Sequence, residues 1–470
     1  MAWSARGLWS PSALCSARAS VALQATWEGG GAALLPAGDG GAAQPLDEPV
    51  LRDLGNGLLI RRATADDIED VAALHGRNHD NDVAGWVRAM MANAYASPEP
   101  DYFLLVEDTG AGRIVSSLGV IPGVSCYCGI PLKSARIELV STDAEHRRQG
   151  LVRALFGVAH ELFRQQGVLI DFVTGRPWFY RQFGPYALAL PEHEGIALSM
   201  LGLDASSPHH GGYALREARA EDLASFGALY RDASRRYVLF RHLSDPQLVA
   251  EFGFPEWTRV ITNGGGTTVG FVTYHPALDE STLVVRVLEV APGTSWLAVK
   301  PAVLRCLCDV GEALAAESGD RLRGIALRLG QSHAFYQVVP EVAKRAEPGF
   351  AGYVRIGDLP AFFRVVASVL EERIARSVLV GYTGSVRINL WSRMTGVDLS
   401  FERGRLQDAQ LCVCDMGDAN LPQEFLTQLA VGRRSLDELG VEYPEVRILR
   451  PDVDVLLRVL FPKQPSYFAR

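Results

Sequence analysis

Hydrophobic side chains recur at helical spacing over residues 151–163 and face away from the polar positions between them: Leu151, Leu155, Val158, Leu162 and Phe163. Residues 137–141, shortly before this stretch, alternate in the period-two manner of a half-buried strand, imperfectly at Val140. Residues 142–150 between them are mostly polar. The pattern predicts a strand, a loop and an amphipathic helix in direct succession.

The loop ends in the sequence Arg147-Arg148-Gln149-Gly150, immediately before the helix. The first N–H groups of a helix have no partner within the helix, and the helix dipole is positive at that end. A glycine at position 150 lets a ligand approach the backbone closely. The segment therefore predicts an anion site large enough for a pyrophosphate.

An internal repeat divides the chain. Residues 60–75 and 215–230 share six identities over sixteen positions at a constant offset of 155. Each copy predicts a strand, a turn with acidic residues and a helix. Predicted strands follow at 102–106 and 114–120 in the first copy, and at 258–261 and 268–274 in the second. The two copies are expected to occupy residues 58–205 and 212–353.

The copies differ where the anion site is expected. The second copy has a comparable strand at 284–290, followed by Ala291-Pro292-Gly293 without an Arg-x-x-Gly loop. Pro292 has no N–H to offer an anion. We therefore expect only the first copy to bind a nucleotide-type cofactor, while the second is structural or lines the acceptor site.

A third unit is predicted for residues 355–470, with helices at 360–376, 422–431 and 435–439 and strands at 385–391, 397–402 and 409–414. The expected fold class is α/β (α+β), with two tandem mixed-sheet units followed by a smaller α+β unit. Residues 1–57, rich in Ala, Gly and Ser, contain no acidic residue before Glu28. They are expected to be a disordered extension, with a transit peptide as the alternative.

Composition narrows the possible partners. The net charge of −8 argues against nucleic acid or an anionic membrane as the main partner, and no apolar run reaches transmembrane length. Six of the seven cysteines form Cys-x-Cys pairs, a spacing that does not suit a zinc knuckle. We expect buried free thiols, no metal and a reducing, cytoplasmic location.

The strand–loop–helix segment resembles the acetyl-CoA-binding motif of the GNAT superfamily of N-acetyltransferases. Arg147 and Gly150 match its Arg/Gln-x-x-Gly-x-Gly/Ala pattern, whereas Val152 stands at the second glycine or alanine. Over about residues 55–470 the chain resembles the enhanced-intracellular-survival (Eis-like) type. That resemblance rests on the segments 146–150, 179–184 and 460–463 together. It implies GNAT-like folds for the first two units, a sterol-carrier-protein-like third unit and a homo-oligomer.

Acetyl transfer needs a base for the amine and a proton donor for the leaving thiolate, whose parent pKa is about 8.5. The resemblance places the catalytic tyrosine at Tyr180, with Tyr186 as a nearby competitor; packing against neighbouring phenylalanines is the alternative role. The resemblance also implies that the C-terminal carboxylate, here of Arg470, is the base. Glu138 is the alternative base, unless an ion pair occupies it.

The resemblance and the loop geometry together nominate the residues around acetyl-CoA: Val140, Ser141, Thr142, Arg148, Gln149, Gly150, Leu151, Val152, Arg153, Thr174 and Gly175. Trp86 is expected at the acceptor wall, with Asp80 and Asp82 as ammonium partners or merely a solvated loop. The expected function is transfer of an acetyl group to a primary amine of a small cationic molecule, such as a polyamine or aminoglycoside, or to a lysine side chain. The alternative is a lipid- or small-molecule-binding protein that uses the third unit.

Overall fold

The computed structural model describes residues 50–79, 81–94, 99–176, 178–190, 196–199, 212–330, 333–339, 343–345, 351–391 and 394–467. The elements up to residue 190 are β1 (Val50–Gly55), β2 (Leu58–Arg62), α1 (Ile68–Asn78), α2 (Asn81–Met91), β3 (Tyr102–Asp108), β4 (Arg113–Tyr127), β5 (Ile130–Thr142), α3 (Leu151–Gln166), β6 (Ile170–Gly175) and β7 (Ala187–Leu190).

The next part of the chain contains β8 (Ile196–Ser199), β9 (Ala214–Glu217), α4 (Leu223–Ala233), β10 (Leu239–His242), α5 (Asp245–Phe252), β11 (Thr258–Thr262), β12 (Thr268–Tyr274), β13 (Thr282–Val290), α6 (Trp296–Ser318), β14 (Gly324–Leu327), β15 (Ala343–Arg345) and β16 (Ala351–Ile356). The last part contains α7 (Leu359–Val365), α8 (Ala367–Ala375), β17 (Gly384–Leu390), β18 (Thr395–Glu402), β19 (Arg405–Val413), β20 (Ala419–Asn420), α9 (Gln423–Ala430), α10 (Leu436–Glu442), β21 (Arg447–Ile448) and α11 (Pro451–Leu460). The predicted mixed α/β class is confirmed.

Three sheets organise the chain. The first has the order β1-β2-β3-β4-β5-β6-β16-β7, with β10 also paired to β4. The second has the order β15-β8-β14-β13-β12-β11-β9, and the third β19-β18-β17-β20-β21. The first two sheets are largely antiparallel, but each contains one parallel pair, β5 with β6 and β13 with β14. The parallel pair thus recurs at the same place in both copies of the repeat.

The first two units exchange strands. β16 follows the second copy in sequence but lies between β6 and β7 of the first sheet, whereas β8 pairs with β14 and β15 of the second. A buried ion pair joins Arg355 of β16 to Asp171 of β6 at 2.7 Å. The sequence boundaries near 205 and 353 therefore do not coincide with sheet membership.

The repeated sequence corresponds to a repeated ion pair. Arg61 binds both carboxylate oxygens of Asp67 at 2.7 Å, and the N–H of Thr64 donates to the same carboxylate. Arg216 and Asp222 form the same contact at 2.8 Å at the equivalent positions. The arginine and aspartate shared by both copies thus connect β2 to the start of α1 and β9 to the start of α4.

The third unit packs directly on the first sheet. Its helix residues Phe362, Leu370 and Leu426 share one buried core with Ile170 and Val354 of that sheet. The predicted helix 360–376 is divided between α7 and α8, because Val366 leaves the helical region at ψ 9°. The third unit's likeness to a sterol carrier protein stays a prediction.

One boundary differs from the expectation. β1 begins at Val50, inside the segment 1–57, and pairs with β2; residues 1–49 lie outside the described part. The six cysteines of the described residues, three of them buried, are free thiols. Within the same residues, no helix combines the length and apolarity that crossing a membrane requires.

The strand exchange makes a test possible. Val354→Pro removes a backbone donor from a strand that lies between two others and should break its pairing there. We expect hydrogen exchange to show lost protection in β6 and β7, which precede the substitution by more than 160 residues. Lys344→Pro, in the edge strand β15, should leave β6 protected. Equal protection of β6 in both variants would contradict the exchange.

Candidate active site

The candidate site lies where two parallel strands separate. β5 pairs with β6 only from Ser134 to Ile137, opposite residues 170–173. Beyond that point β5 continues from Glu138 to Thr142 beside β4, and β6 ends at Thr174 and Gly175. Backbone groups of β5 that face the gap have no partner in the ladder, so an extended ligand with amide groups can pair with them.

A β-bulge sits at the start of this gap. Ser117 pairs with Ser141 and Gly119 with Glu138, so two residues of β5 oppose one of β4. Leu139 has φ of +50°, a conformation that costs a non-glycine residue about 1 kcal/mol. Leu139 packs toward α1 and α2, whereas Val140 packs toward α3. The bulge therefore directs neighbouring side chains to opposite faces of the sheet.

The first turn of α3 is open to a ligand. Its first helical bond runs from the N–H of Ala154 to the carbonyl of Gly150, and no side chain caps the turns before it. Gly150 has φ of +79°, and a Cβ there would meet no protein atom within 4 Å. The glycine is therefore required by backbone conformation, and the space above it is free. Arg148, also at positive φ, is exposed beside it.

Two arginines fix the loop in place. Arg147 donates to the carbonyl of Thr142 at 3.2 Å and to the Asn78 side chain at 2.9 Å. Arg153 donates to the carbonyl of Gln182 at 2.6 Å and so ties the start of α3 to the 3₁₀ turn Tyr180–Phe183. The loop of residues 147–150 and the turn that carries Tyr180 are thereby both anchored at the start of α3.

Tyr180 lies against the end of β6. A Cβ built on Gly175 would come within 2.3 Å of the Tyr180 ring, so only glycine leaves room for it. Phe156 and Tyr353 pack around the ring, and the Tyr180 hydroxyl makes no hydrogen bond to a described residue. Burial, and then the negative charge of Glu138, raise the pKa of Tyr180, so the phenol keeps its proton.

The hydroxyl of Tyr186, the alternative to Tyr180, is already engaged in hydrogen bonds. It is fully buried, donates a short hydrogen bond to Asp171 and lies 2.9 Å from His160 Nε2. Asp171 also carries the ion pair to Arg355 that holds β16 in the sheet. Tyr186 therefore serves the strand exchange and offers no free hydroxyl.

The nominated acceptor residues lie on the α1 and α2 side of the sheet. Trp86 packs in one cluster with Leu139 and Ile121. Asp82 is exposed in the first turn of α2, where a carboxylate stabilises the helix dipole; Asp80 lies outside the described residues. Glu138 forms an ion pair with Arg136 at 3.3 Å.

Arg470 also lies outside the described residues, but the direction of the tail before it is defined. Tyr467 forms a parallel bridge with Phe240 of β10, and β10 runs antiparallel to β4, from the level of Tyr127 towards Val124. The tail at residue 467 therefore runs in the same direction as β10, from the level of Tyr127 towards that of Val124. Tyr467, the last described residue, is held in place because its Oη donates to the carbonyl of Arg328 at 2.8 Å.

The second copy keeps the separated strands but fills the gap. β13 and β14 part after Val285 and Leu327. Tyr336, the counterpart of Tyr180, donates to the Leu327 carbonyl at 2.8 Å and accepts from the N–H of Leu329 at 3.2 Å. The Ser295 side chain caps α6 by accepting from the N–H of Ala298. The two groups that are free in the first copy are thus bonded in the second.

Charged side chains also occupy the gap between β13 and β14. Glu289 occupies the register position of Ser141 and is buried in an ion pair with Arg236. His333 is buried beside it, and Trp296 of α6 packs on the His333 ring. Burial raises the pKa of Glu289 to about 7, against the attraction of Arg236. A cofactor would have to displace this cluster.

Sequence reasoning missed a buried histidine and serine pair beneath the site. His75 of α1 lies 2.8 Å from Ser117 Oγ, and Ser117 faces Ser141 across the strands. His75 Nδ1 and Ser141 Oγ are buried without hydrogen-bond partners in the described part of the chain. His75 was visible only as one position of a predicted helix, so its contact partner had no sequence signal. No cluster of His, Cys, Asp and Glu suited to a metal occurs among the described residues.

Comparisons with known proteins agree with this geometry. Residues 59–189 match the family model described as an acetyltransferase (GNAT) domain. A comparison with curated proteins finds no match. The part of the chain that is similar to a GNAT acetyltransferase domain therefore includes the separated strands, the loop and Tyr180.

Solved structures share the fold over most of the chain. A probable N-acyltransferase from Enterococcus faecalis V583 is 12% identical with a TM-score of 0.62, covering 87% of this chain and 97% of that one. A GCN5-related N-acetyltransferase from Kribbella flavida is 19% identical with a TM-score of 0.60, covering 87% and 99%. Eis1 from Mycobacterium abscessus is 16% identical with a TM-score of 0.56, covering 88% and 99%. At these identities the likeness shows the fold alone.

The buried histidine predicts a specific acid sensitivity. Burial lowers the pKa of His75 from 6.5 to about 3, so the unfolded chain binds a proton that the native protein does not. The stability from a neutral His75 is complete above pH 6.5 and is lost as the pH falls, by about 1.4 kcal/mol per pH unit. The free energies of unfolding of wild type and His75→Gln, measured by urea titration, should differ by a constant amount above pH 7. They should converge as the pH falls towards 5. Parallel curves across that range would contradict the buried neutral state.

Proposed function

We propose that the first unit transfers an acetyl group from acetyl-CoA to a primary amine, and that Tyr180 donates the proton to the leaving thiolate. The observation that carries this proposal is the contrast between the two copies. The Tyr180 hydroxyl lies beside open strands and has no hydrogen-bond partner among the described residues, whereas the Tyr336 hydroxyl is bonded to the backbone. A packing role would not require the hydroxyl to be left free.

The residues present fit the coenzyme. The uncapped start of α3 and the free space above Gly150 suit a pyrophosphate, with Arg148, Gln149 and the N–H groups of residues 151–153 around it. The edge of β5 at Val140, Ser141 and Thr142 and the end of β6 at Thr174 and Gly175 would flank the pantetheine. When bound, acetyl-CoA supplies the activated thioester.

The protein's own groups perform the proton transfers. Tyr180 Oη holds a proton because burial and Glu138 raise its pKa, and it can give that proton to a thiolate. We propose the Arg470 carboxylate as the base that accepts the amine proton, as the family resemblance implies; the tail before it is bonded along β10, which extends the first sheet. Glu138 is the alternative base, although its ion pair with Arg136 already engages it.

The acceptor remains a primary amine of a small molecule or a lysine side chain, with Trp86, Asp80 and Asp82 as proposed wall residues. The lipid-binding alternative gains no support from the third unit. Of the apolar residues that suggested it, Phe362, Phe363, Val366, Val369 and Leu370 lie in a packed core, and Val365 is exposed. The homo-oligomer stays a prediction.

Tyr180→Phe tests the proton donor, and Tyr336→Phe is its matched control. We expect Tyr180→Phe to lower kcat by about 100-fold or more, because a general acid contributes that much. Release of CoA is measured with a thiol reagent, with polyamines, aminoglycosides and lysine peptides supplied as acceptors. Tyr336→Phe should keep the wild-type rate. Full activity of Tyr180→Phe would remove Tyr180 from this role.

The base is tested by moving one carboxylate and neutralising the other. One glycine added after Arg470 displaces the terminal carboxylate and should lower kcat at least about tenfold. Glu138→Gln should change kcat by less than about threefold and keep the pH profile of wild type. The reverse outcome would assign the base to Glu138.

A further inference from the structure

A cavity lies where the first and second units meet, one ion pair away from the proposed active site. Residues 121–124 of β4, 134–136 of β5 and 241–243 of the second unit line it, together with Gln247. Its lining contains two arginines, Arg136 and Arg241, and no acidic side chain. Such a composition favours an oxyanion over a cation.

The ion pair of Arg241 leaves one of its guanidinium nitrogens without an acceptor among the described residues. Its Nη2 lies 3.2 Å from Glu251 Oε2, and Glu251 Oε1 lies 3.0 Å from Arg286. Burial alone would raise the pKa of Glu251, but the attraction of Arg241 and Arg286 lowers it to about 2. One carboxylate is therefore shared by two guanidinium groups. Arg241 Nη1 is buried and finds no hydrogen-bond acceptor among the described residues.

An unsatisfied buried donor is costly, so a ligand that supplies an acceptor gains affinity. Asp101 attracts Arg241 but does not line the cavity. The Ser134 hydroxyl, held by Ser125 at 2.9 Å, offers a further polar contact in the wall. A planar carboxylate matches the geometry of a guanidinium fork.

The cavity lies on the same face of the sheet as the proposed acceptor site. Ser134, Arg136 and Glu138 alternate along β5, and Arg136 is ion-paired with Glu138. Ile121 lines the cavity and also packs in the cluster that contains Trp86 and Leu139. Two residues of strand span about 6.6 Å, a length that a short aliphatic chain can bridge.

From this arrangement we infer that the acceptor is an amino carboxylate, such as free lysine or ornithine, whose amine reacts near Tyr180 while its carboxylate binds Arg241 in the cavity. This inference rests on the proposed acetyl transfer and specifies its acceptor. Arg241 is a specificity residue in this scheme, and Glu251 and Arg286 are positioning residues that hold its guanidinium. Polyamines lack the carboxylate and are poorer acceptors.

The test compares lysine with cadaverine, which has the same reacting amine and chain but no carboxylate. We expect kcat/KM for lysine to exceed that for cadaverine by about tenfold or more, the contribution of one charge-assisted hydrogen bond. Arg241→Gln should lower this ratio at least about tenfold. Arg235→Gln, an exposed arginine of the same unit, is the matched control and should keep the ratio.

A second variant tests the cavity without removing any member of the Arg241, Glu251 and Arg286 cluster, because Arg241→Gln could also act by disturbing the fold. Gly123 lines the cavity, and a Cβ there meets only Ser134 Oγ, at 3.9 Å. Gly123→Val adds an apolar side chain to the cavity wall and leaves every charged residue of the cluster in the sequence, and it should lower the lysine to cadaverine ratio as Arg241→Gln does. A ratio near one in wild type, or an unchanged ratio in Gly123→Val, would overturn the inference.

Failure of the proposed activity can be told apart from failure of this inference. If none of the polyamines, aminoglycosides, lysine peptides or free lysine is acetylated, the proposed function fails, and calorimetry with Nε-acetyl-lysine and N-acetylcadaverine still tests the cavity. Tighter binding of Nε-acetyl-lysine to wild type, lost in Gly123→Val, would support a carboxylate site. Equal binding of the two compounds would overturn it.

Discussion

The separation of β5 from β6 after Ile137 and Val173 is the constraint on which the candidate site depends. Parallel strands normally continue their ladder, and here the bulge at Leu139 and the end of β6 at Gly175 prevent it. The gap exposes backbone groups at the same place where α3 begins without a cap. Gly175 then admits the Tyr180 ring, so the uncapped helix start, the open strand edge and the proposed proton donor meet at one point.

The two copies show how the same fold gains or loses a site. Both keep the separated strands, and both place a tyrosine after the second of them. In the second copy Ser295 caps the helix, Tyr336 bonds the strand end and Glu289 with Arg236 fills the gap. Each change satisfies a group that the first copy leaves unsatisfied. The second copy is therefore more completely bonded at this position, which suits a structural unit.

The second unit also completes the first. β16 closes the first sheet beside β6, and β10 extends β4 on the other side. Because β10 carries Arg241 and the tail packs along β10, the proposed acceptor face is built from all three parts of the chain. The exchange of β8 and β16 makes the first two units depend on each other for stability, and the third unit shares its core with the first sheet.

Local patterns were sufficient for the elements and for part of the site. The period of apolar positions predicted α3, the repeat predicted two equivalent units, and Arg147 with Gly150 marked the loop, because each depends on neighbours within a few residues. The exchange of β16, the ion pair of Arg355 with Asp171 and the donor of Arg241 had no such signal. The strand exchange and its ion pair join residues more than 100 positions apart, and the cavity beside Arg241 is lined by strands equally distant in sequence, so only the packing of the units decides which of those residues meet.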